Sequence, residues 1–412
     1  MSLQETVSAE RVHIAWFGRR NAGKSSLVNA VTAQDVSIVS DVPGTTTDPV
    51  RKAMELLPLG PVLMIDTPGI DDEGALGELR VARTNRILAE TDIAVLAVDG
   101  TKGFSAAERE LAEAFLKRSI PWILVFTKAD LTEASVRDVR TAEGKALAAG
   151  TDIPVLFTSA HTGEGIHELK ETLGACARKP AQQKHIVTDL LSPGSIVILV
   201  CPIDASAPKG RLILPQQAVL RELLDEHHTT LVCQPEELTA VIASLRNPPA
   251  LVITDSQVFG KVDAVLPKEI PLTSFSILFA RYKGDLETLI RGAEAIEGLR
   301  GGDRVLIAEG CTHHRQCGDI GTVKLPAWIE KHTGVKPSYT FVSGGDFPLS
   351  PSDYRLIIHC GGCMLSEREM KNRLASAEDA GVPIVNYGVA IAHMHGILKR
   401  SLAPLDKSGI NR

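Results

Sequence analysis

Residues 18–25 read GRRNAGKS, a G-x-x-x-x-G-K-S octet with the apolar run VHIAWF before it and the helix-competent SSLVNAVTA after it. No other stretch restricts the fold as strongly, because the octet works only when strand, tight loop and helix follow one another directly. Gly18 and Gly23 allow the backbone to turn its N–H groups inward around phosphates, with Asn21 and Ala22 between them and Ser26 opening the helix. Lys24 is placed to reach the β- and γ-phosphates, and the Ser25 hydroxyl can ligate Mg²⁺. A bare Gly-rich turn would leave the register of Lys24 and Ser25 unexplained.

Further motifs follow in a fixed order. MIDTPG (64–69) ends an apolar strand, so that Asp66 is expected near the Mg²⁺ shell and the Gly69 N–H near the γ-phosphate. GTTTD (44–48) lies between the two, where a switch segment offers a hydroxyl to Mg²⁺; Thr46 is the choice and Thr45 the rival. WILVFTKAD (122–130) and LFTSA (156–160) close two later strands as base-reading segments do. Together these predict a P-loop GTPase domain with GTP and Mg²⁺ as cofactors.

Residues 11–175 resemble the GTPases of tRNA modification and ribosome assembly, TrmE/MnmE, Era and Der. The resemblance implies that Asp130 reads the guanine N1/N2 edge, that Lys128 packs across the base, and that Ser159 and Ala160 meet O6. It also marks a departure, since Thr127 stands where N-K-x-D has Asn. The Asp is kept, so guanine preference is expected to survive in weakened form. Hydrolysis is expected from Lys24, Thr46 and Asn21. Ile70 follows DTPG, leaving no counterpart there to the water-positioning Gln of Ras-like enzymes. Asn21 matches the K⁺-binding Asn of the TrmE-like group, which implies slow, K⁺-stimulated turnover; the competing reading is that Asn21 only shapes the loop. Glu78 is a weaker candidate for activating water, and an exposed helix Glu is its plainer reading.

The organisation is α/β throughout, with apolar strand-like runs alternating with amphipathic stretches. The expectation is three domains: a GTPase domain over 1–178, a section over 179–268 and a section over 269–412, the last two smaller with parallel sheets. The polar stretch ARKPAQQKH marks the first boundary. Strands are expected at 195–201, 230–233 and 250–254 in the second section and at 304–308, 338–342, 354–360 and 382–388 in the third.

Near the end of the chain, CTHH (311–314) and HCGGC (359–363) each follow a strand. In an open α/β sheet, ligands gather beyond the carboxyl ends of parallel strands. Cys311 with His313, and His359 with Cys360 and Cys363, would then surround one point. A redox pair, a Cys/His zinc site and an iron–sulfur cluster with one exchangeable iron all fit such a donor set. Seven cysteines in a chain of 412 residues do not make a disulfide scaffold,. Cys176, Cys201 and Cys233 read as packing residues, and Cys317 has no place in the motif.

Charge and targeting narrow the partners. Lys+Arg 44 against Asp+Glu 50 leaves a net charge of -6, which gives no reason to expect nucleic-acid binding,. The N-terminus lacks a basic start followed by an apolar stretch, and no apolar run approaches the length of a membrane span. A cytoplasmic location and no membrane partner are therefore expected.

Taken over its whole length, the chain resembles the HydF family, the maturation GTPases of FeFe-hydrogenase. That resemblance implies that Cys311, Cys360 and Cys363 hold a 4Fe–4S cluster whose fourth ligand varies, with His313, His359, Glu309 and Asp319 nearby. It implies a homodimer formed through the middle section. It also implies a scaffold and carrier for the diiron CO/CN⁻ subcluster, made with the radical-SAM maturases HydE and HydG and delivered to the hydrogenase HydA. The alternative is an Era/TrmE-like, nucleic-acid-linked GTPase with a structural zinc site.

Overall fold

The computed structural model describes residues 11–32, 50–67, 84–148, 150–177, 184–203, 210, 212–310, 320–344, 346–348 and 350–406. The chain divides into two compact units, Met1–Gln182 and Gln183–Arg412. Within them lie three sheets, so the fold is α/β with a P-loop GTPase domain followed by two smaller parallel-sheet domains.

The first unit runs β1 (Val12–Phe17), α1 (Lys24–Thr32), β2 (Val50–Leu56), β3 (Gly60–Asp66), α2 (84–90), β4 (Ile93–Asp99), α3 (Ala106–Lys117), β5 (Trp122–Thr127), α4 (Ala134–Leu147), β6 (Val155–Phe157) and α5 (Ile166–Ala177). Its six strands lie in the order β2-β3-β1-β4-β5-β6, with only β2–β3 antiparallel. Alternate residues bury opposite faces. Ile14, Trp16, Met64 and Val95 pack under Leu27 and Val31 of α1 and Leu169 and Leu173 of α5. Phe17, Ile65, Leu96 and Phe126 pack under Leu88 of α2 and Leu111 and Phe115 of α3. A sheet covered on both faces reads as the near-continuous apolar runs seen in the sequence. The chain leaves β1 for β3 on one side and returns to β4 on the other, so the carboxyl end of β1 opens into a crevice.

The second unit carries β7 (Ile196–Val200), α6 (Leu214–Asp225), β8 (Thr229–Cys233), α7 (Leu238–Ser244), β9 (Leu251–Thr254), α8 (Phe259–Val265), β10 (Leu272–Ser274) and α9 (Phe275–Lys283). It continues with α10 (Leu286–Glu294), β11 (Arg304–Glu309), α11 (Leu325–Thr333), β12 (Ser338–Ser343), β13 (Leu356–His359), α12 (Glu367–Asp379), β14 (Ile384–Asn386), α13 (Tyr387–Met394) and α14 (Leu398–Leu402). Two parallel sheets result, β10-β9-β7-β8 and β12-β11-β13-β14.

Two expectations about this unit change. The section boundary expected after residue 268 precedes β10, yet β10 pairs with β9 and completes the second sheet. The strand expected over 382–388 stops at Asn386, whose side chain accepts the Val389 N–H at 2.8 Å and so starts α13,.

Helix α9 explains why two sheets make one compact unit. Ser274 caps it, and Phe275, Ile277, Leu278, Phe279, Ala280 and Lys283 are all buried. A helix apolar on nearly every side must be covered on every side. It joins Val197, Leu199 and Ile253 of the second sheet to Leu306, Ile307 and Ile357 of the third in a single core. Among the described residues, no helix is long and apolar enough to cross a membrane.

Candidate functional site

The P-loop leaves β1 and enters α1 at Lys24, so the first amides of that helix face the crevice,. Lys24 is 7% exposed, and its ammonium donates to the carbonyls of Gly18 (2.8 Å) and Arg19 (2.7 Å). Asn21 sits at φ 61, in the left-handed region that Asn tolerates better than most residues,. Ser25 Oγ donates to Asp66 Oδ2 at 2.8 Å, while Asp66 Oδ1 is buried with no hydrogen-bond partner. Burial pushes the Asp66 carboxyl up, against the Ser25 hydrogen bond and the Lys24 charge. A buried carboxylate oxygen without a donor, beside a hydroxyl, suits a hard divalent cation with oxygen ligands. The residues present therefore fit Mg²⁺. Thr46 and Gly69, with Ile70 and Glu78, lie outside the described residues.

Beyond the P-loop lies a cleft of about 440 Å³ whose lining includes Gly23, Ser26, Thr127, Lys128, Asp130, Ser159 and Ala160. Three separate motifs of the sequence thus meet in one cavity. The Thr127 hydroxyl donates to the Ala22 carbonyl at 2.7 Å, with the Val98 carbonyl at 3.2 Å. Thr127 thereby ties β5 to the P-loop directly.

Two residues that the sequence reading passed over hold this cleft in shape. Asp99, at the end of β4, accepts from Lys128 Nζ at 2.6 Å and from the Thr101 hydroxyl at 2.6 Å. Burial would raise its carboxyl, but the Lys128 and Thr101 hydrogen bonds outweigh that and hold it below the usual range. Arg137 of α4 donates to the carbonyls of Ala129 (2.6 Å) and Thr132 (3.2 Å) and pairs with Glu164 at 2.6 Å. It braces the T-K-A-D loop against the loop that follows Ser159. An Asp closing the apolar run AVLAVD was a visible signal for the first; nothing contiguous marked the second.

In the third domain, Cys360 follows β13 and its N–H donates to the Ala308 carbonyl of β11 at 2.9 Å. Its Sγ accepts the Gly310 N–H at 3.0 Å and the Gly362 N–H at 3.5 Å. Gly362 has φ +65, a conformation that favours glycine in the turn between the two thiols, and a Cβ there would lie 2.4 Å from the flexible tip of Met370, which would have to move,. Burial raises the Cys363 thiol, opposed by the Lys283 charge and by the N–H groups of Cys363 and Met364. The amides aimed at both sulfurs and the Lys283 charge offset part of that burial at Cys363 without reversing it; a bound metal would complete the change to thiolate, the form in which cysteine holds a metal centre,. The two cysteines fit a thiolate-bound centre. Cys311 and His313, like Cys317 and Asp319, lie outside the described residues.

His359 does not join them. It is fully buried, Nδ1 lies 2.7 Å from the Cys360 carbonyl, and Nε2 lies 2.9 Å from the Arg373 guanidinium. Burial first, then the Arg373 charge, lower its pKa to about 3. The neutral ring donates from Nδ1 and accepts at Nε2, so neither nitrogen is left for a metal. Successive residues of a strand face opposite ways, which sends His359 into the core as Cys360 reaches the surface loop. Arg373 itself donates to Glu369 (2.6 Å) and the Gly344 carbonyl (2.6 Å) and lies over the Phe347 ring.

Lys283, at the end of α9, was also missed. It is 5% exposed, and its ammonium donates to the carbonyls of Leu365 (2.8 Å), Cys363 (3.2 Å) and Gly362 (3.4 Å).

Comparison with known proteins accounts for each part. Residues 13–128 match the family model described as 50S ribosome-binding GTPase. Residues 186–284 match the hydrogen maturase F dimerization domain, and residues 287–404 match the hydrogen maturase F tetramerization domain. The chain belongs to the HydF family. The two HydF models meet between Gly284 and Glu287, just after the end of α9. Among curated relatives, the tRNA modification GTPase MnmE of Chromobacterium violaceum is 33% identical over 171 residues, 41% of this chain and 36% of that protein. The GTPase Der of Kosmotoga olearia is 35% identical over 176 residues, 41% of this chain and 40% of that protein. The chain thus spans well under half the length of these relatives. A crystal structure of an Era variant from Aquifex aeolicus bound to GDP and AlF₄⁻ is 27% identical, with a TM-score of 0.36, over 40% of this chain and 56% of that one. The relatives cover the GTPase domain of this HydF-family chain, and the thiol pair lies in the part that the HydF models cover.

Proposed function

We propose that this HydF-family chain is a GTP-hydrolysing scaffold that binds a 4Fe–4S cluster and delivers the diiron subcluster precursor to FeFe-hydrogenase. The observation that carries this reading is the thiol pair at the carboxyl end of β13, with main-chain amides aimed at Cys360 Sγ and glycine between the sulfurs. Cys311 is the third ligand in this reading, and the fourth position stays exchangeable, with His313 available to it. Such a site grips a cluster without closing every iron, as a carrier requires. The diiron unit is cargo rather than resident cofactor; HydE and HydG supply it, and HydA receives it.

On the GTPase side, the cleft orients guanine through Asp130, Lys128, Ser159 and Ala160, while Lys24, Ser25 and Asp66 hold the phosphate and Mg²⁺ end. Mg²⁺, when bound, neutralises charge on the phosphate oxygens. Thr46 completes its shell and Gly69 meets the γ-phosphate. Asn21, held in a left-handed turn, offers its side chain to K⁺, which substitutes for an arginine finger. The dimerization and tetramerization modules support a chain that works as an assembly, beginning with a homodimer, in the cytoplasm.

The test is metal analysis of protein reconstituted without oxygen. The wild type is expected to hold about four irons per chain with a reduced-cluster EPR signal. The Cys360→Ser/Cys363→Ser variant is expected to lose that iron while its GTP turnover stays unchanged; Lys24→Ala is expected to do the reverse. One zinc and no iron in the wild type would reduce the cysteines to a structural clip.

A further inference from the structure

Three helices of the third domain, none of whose residues belongs to either site, end at one point. Glu297 lies in the short 3₁₀ turn Ala295–Gly298 that prolongs α10. His332 lies in the last turn of α11, and His393 in the last turn of α13. His332 Nε2 is 2.7 Å and His393 Nε2 is 2.9 Å from the same oxygen, Glu297 Oε1. The two rings are tilted by 62° with centroids 6.0 Å apart, so both nitrogens aim inward without stacking. We infer that Glu297, His332 and His393 form a mononuclear binding site for a zinc-class divalent cation, with water in the remaining position.

The three donor atoms all lie within 4.8 Å of one another. A tetrahedral zinc with ligands at about 2.0–2.1 Å spaces its donors about 3.3 Å apart, so each His–Glu297 pair opens by only about half an ångström to admit the ion, and the two His nitrogens already lie within 4.8 Å of each other,. Two imidazoles and one carboxylate form a borderline donor set, which selects zinc, cobalt or nickel over calcium or magnesium. The His side chains are 26% and 21% exposed, leaving a path for the ion and room for a water ligand. Each helix contributes the negative end of its dipole to the same small volume, and this adds to the attraction for a cation. The frame is stiff as well: α10 and α13 both back onto the third sheet, with Gly292 of α10 against the Ile384 carbonyl of β14. As a surface His–Glu pairing alone, the arrangement would contribute little to stability.

The site shares no residue with the thiol pair, so the two can be separated experimentally. Full-length protein with its cluster reconstituted would be equilibrated with a small excess of Zn²⁺ over chains, dialysed, and analysed for zinc and iron, with zinc-edge X-ray absorption on the product. The wild type is expected to retain one zinc per chain with a shell of N and O ligands only. His332→Ala/His393→Ala is expected to lose that zinc, weakening binding by at least about a hundredfold, with iron content and GTP turnover unchanged. Glu297→Gln should weaken it by about tenfold or more, and the adjacent exposed Lys331→Ala should not change it. A wild type that retains no zinc, a sulfur-containing shell, or equal zinc in the double variant would each overturn the assignment.

Discussion

The Thr127 hydroxyl replaces the longer amide side chain that base-reading motifs of this kind carry, and it still reaches the P-loop carbonyl of Ala22. Thr127→Val keeps the shape and deletes the donor. A buried carbonyl left without its partner costs about 1–3 kcal/mol, so GTP affinity should fall by about tenfold. Titration with a fluorescent guanine nucleotide reads this directly, and an unchanged affinity would leave Thr127 with a packing role only. His359 makes a second prediction at this scale. Its folded pKa of about 3 lies below that of a free imidazole. The stability it contributes is complete above about pH 6.5 and is lost as pH falls towards the folded value, because the unfolded chain takes up the proton first. Denaturant midpoints measured from about pH 7.5 down to 5 should decline in the wild type and decline less in His359→Asn. These residues also show what the sequence made legible. Lys24, Ser25, Asp66 and Asp130 could be named because each sits in a short contiguous motif whose backbone dictates its role. Asp99, Arg137, Lys283 and Arg373 could not, since their partners lie as far as 80 or more positions away, as from Lys283 to Leu365. His359 stayed open between a ligand and a hydrogen-bonding role for a related reason: proximity in sequence to two thiols says nothing about which face of the strand a side chain takes.

Among the elements, α10 shows how tightly the third domain is built. Gly292 faces β14, and a Cβ there would stand 1.9 Å from the Ile384 carbonyl oxygen. Gly292→Ala must therefore push α10 off the sheet. Overpacking of this kind costs about 1–3 kcal/mol, and since the clash is with backbone the upper end applies. The expected result is a lower thermal midpoint for the second unit, with nucleotide binding unaffected; a midpoint at the wild-type value would mean that the helix can shift freely. Strand positions were legible from apolar runs, as at Ile196–Val200 and Arg304–Glu309. Where elements end was less so. The stretch from Leu272 to Lys283 mixes apolar residues with Thr273, Ser274 and Ser276 in no clean period, and periodicity alone cannot say that it contains a strand of one sheet and then a helix shared by two,. The Ser274 side chain, accepting the Ile277 N–H, marks that change.

At the scale of the molecule, three domains are carried by two cooperative units. The GTPase domain has its own cores on either face of its sheet, whereas the second and third domains share one through α9. Calorimetry should accordingly show two transitions rather than three. Mg²⁺ with GTP at about a hundred times its dissociation constant should stabilise only the first unit, by about 2.7 kcal/mol. A third transition, or one moved by nucleotide in both units, would refute this division. Lys283 gives the shared core a further meaning. Its ammonium is rooted in the segment matched by the dimerization module and grips three carbonyls of the loop that carries Cys363. Those three bonds are made by protein atoms alone and need no metal. If the loop holds a cluster as proposed, it is a mould made before its casting: the chain is expected to present the same Cys363 turn before filling as after, because protein atoms alone set that turn.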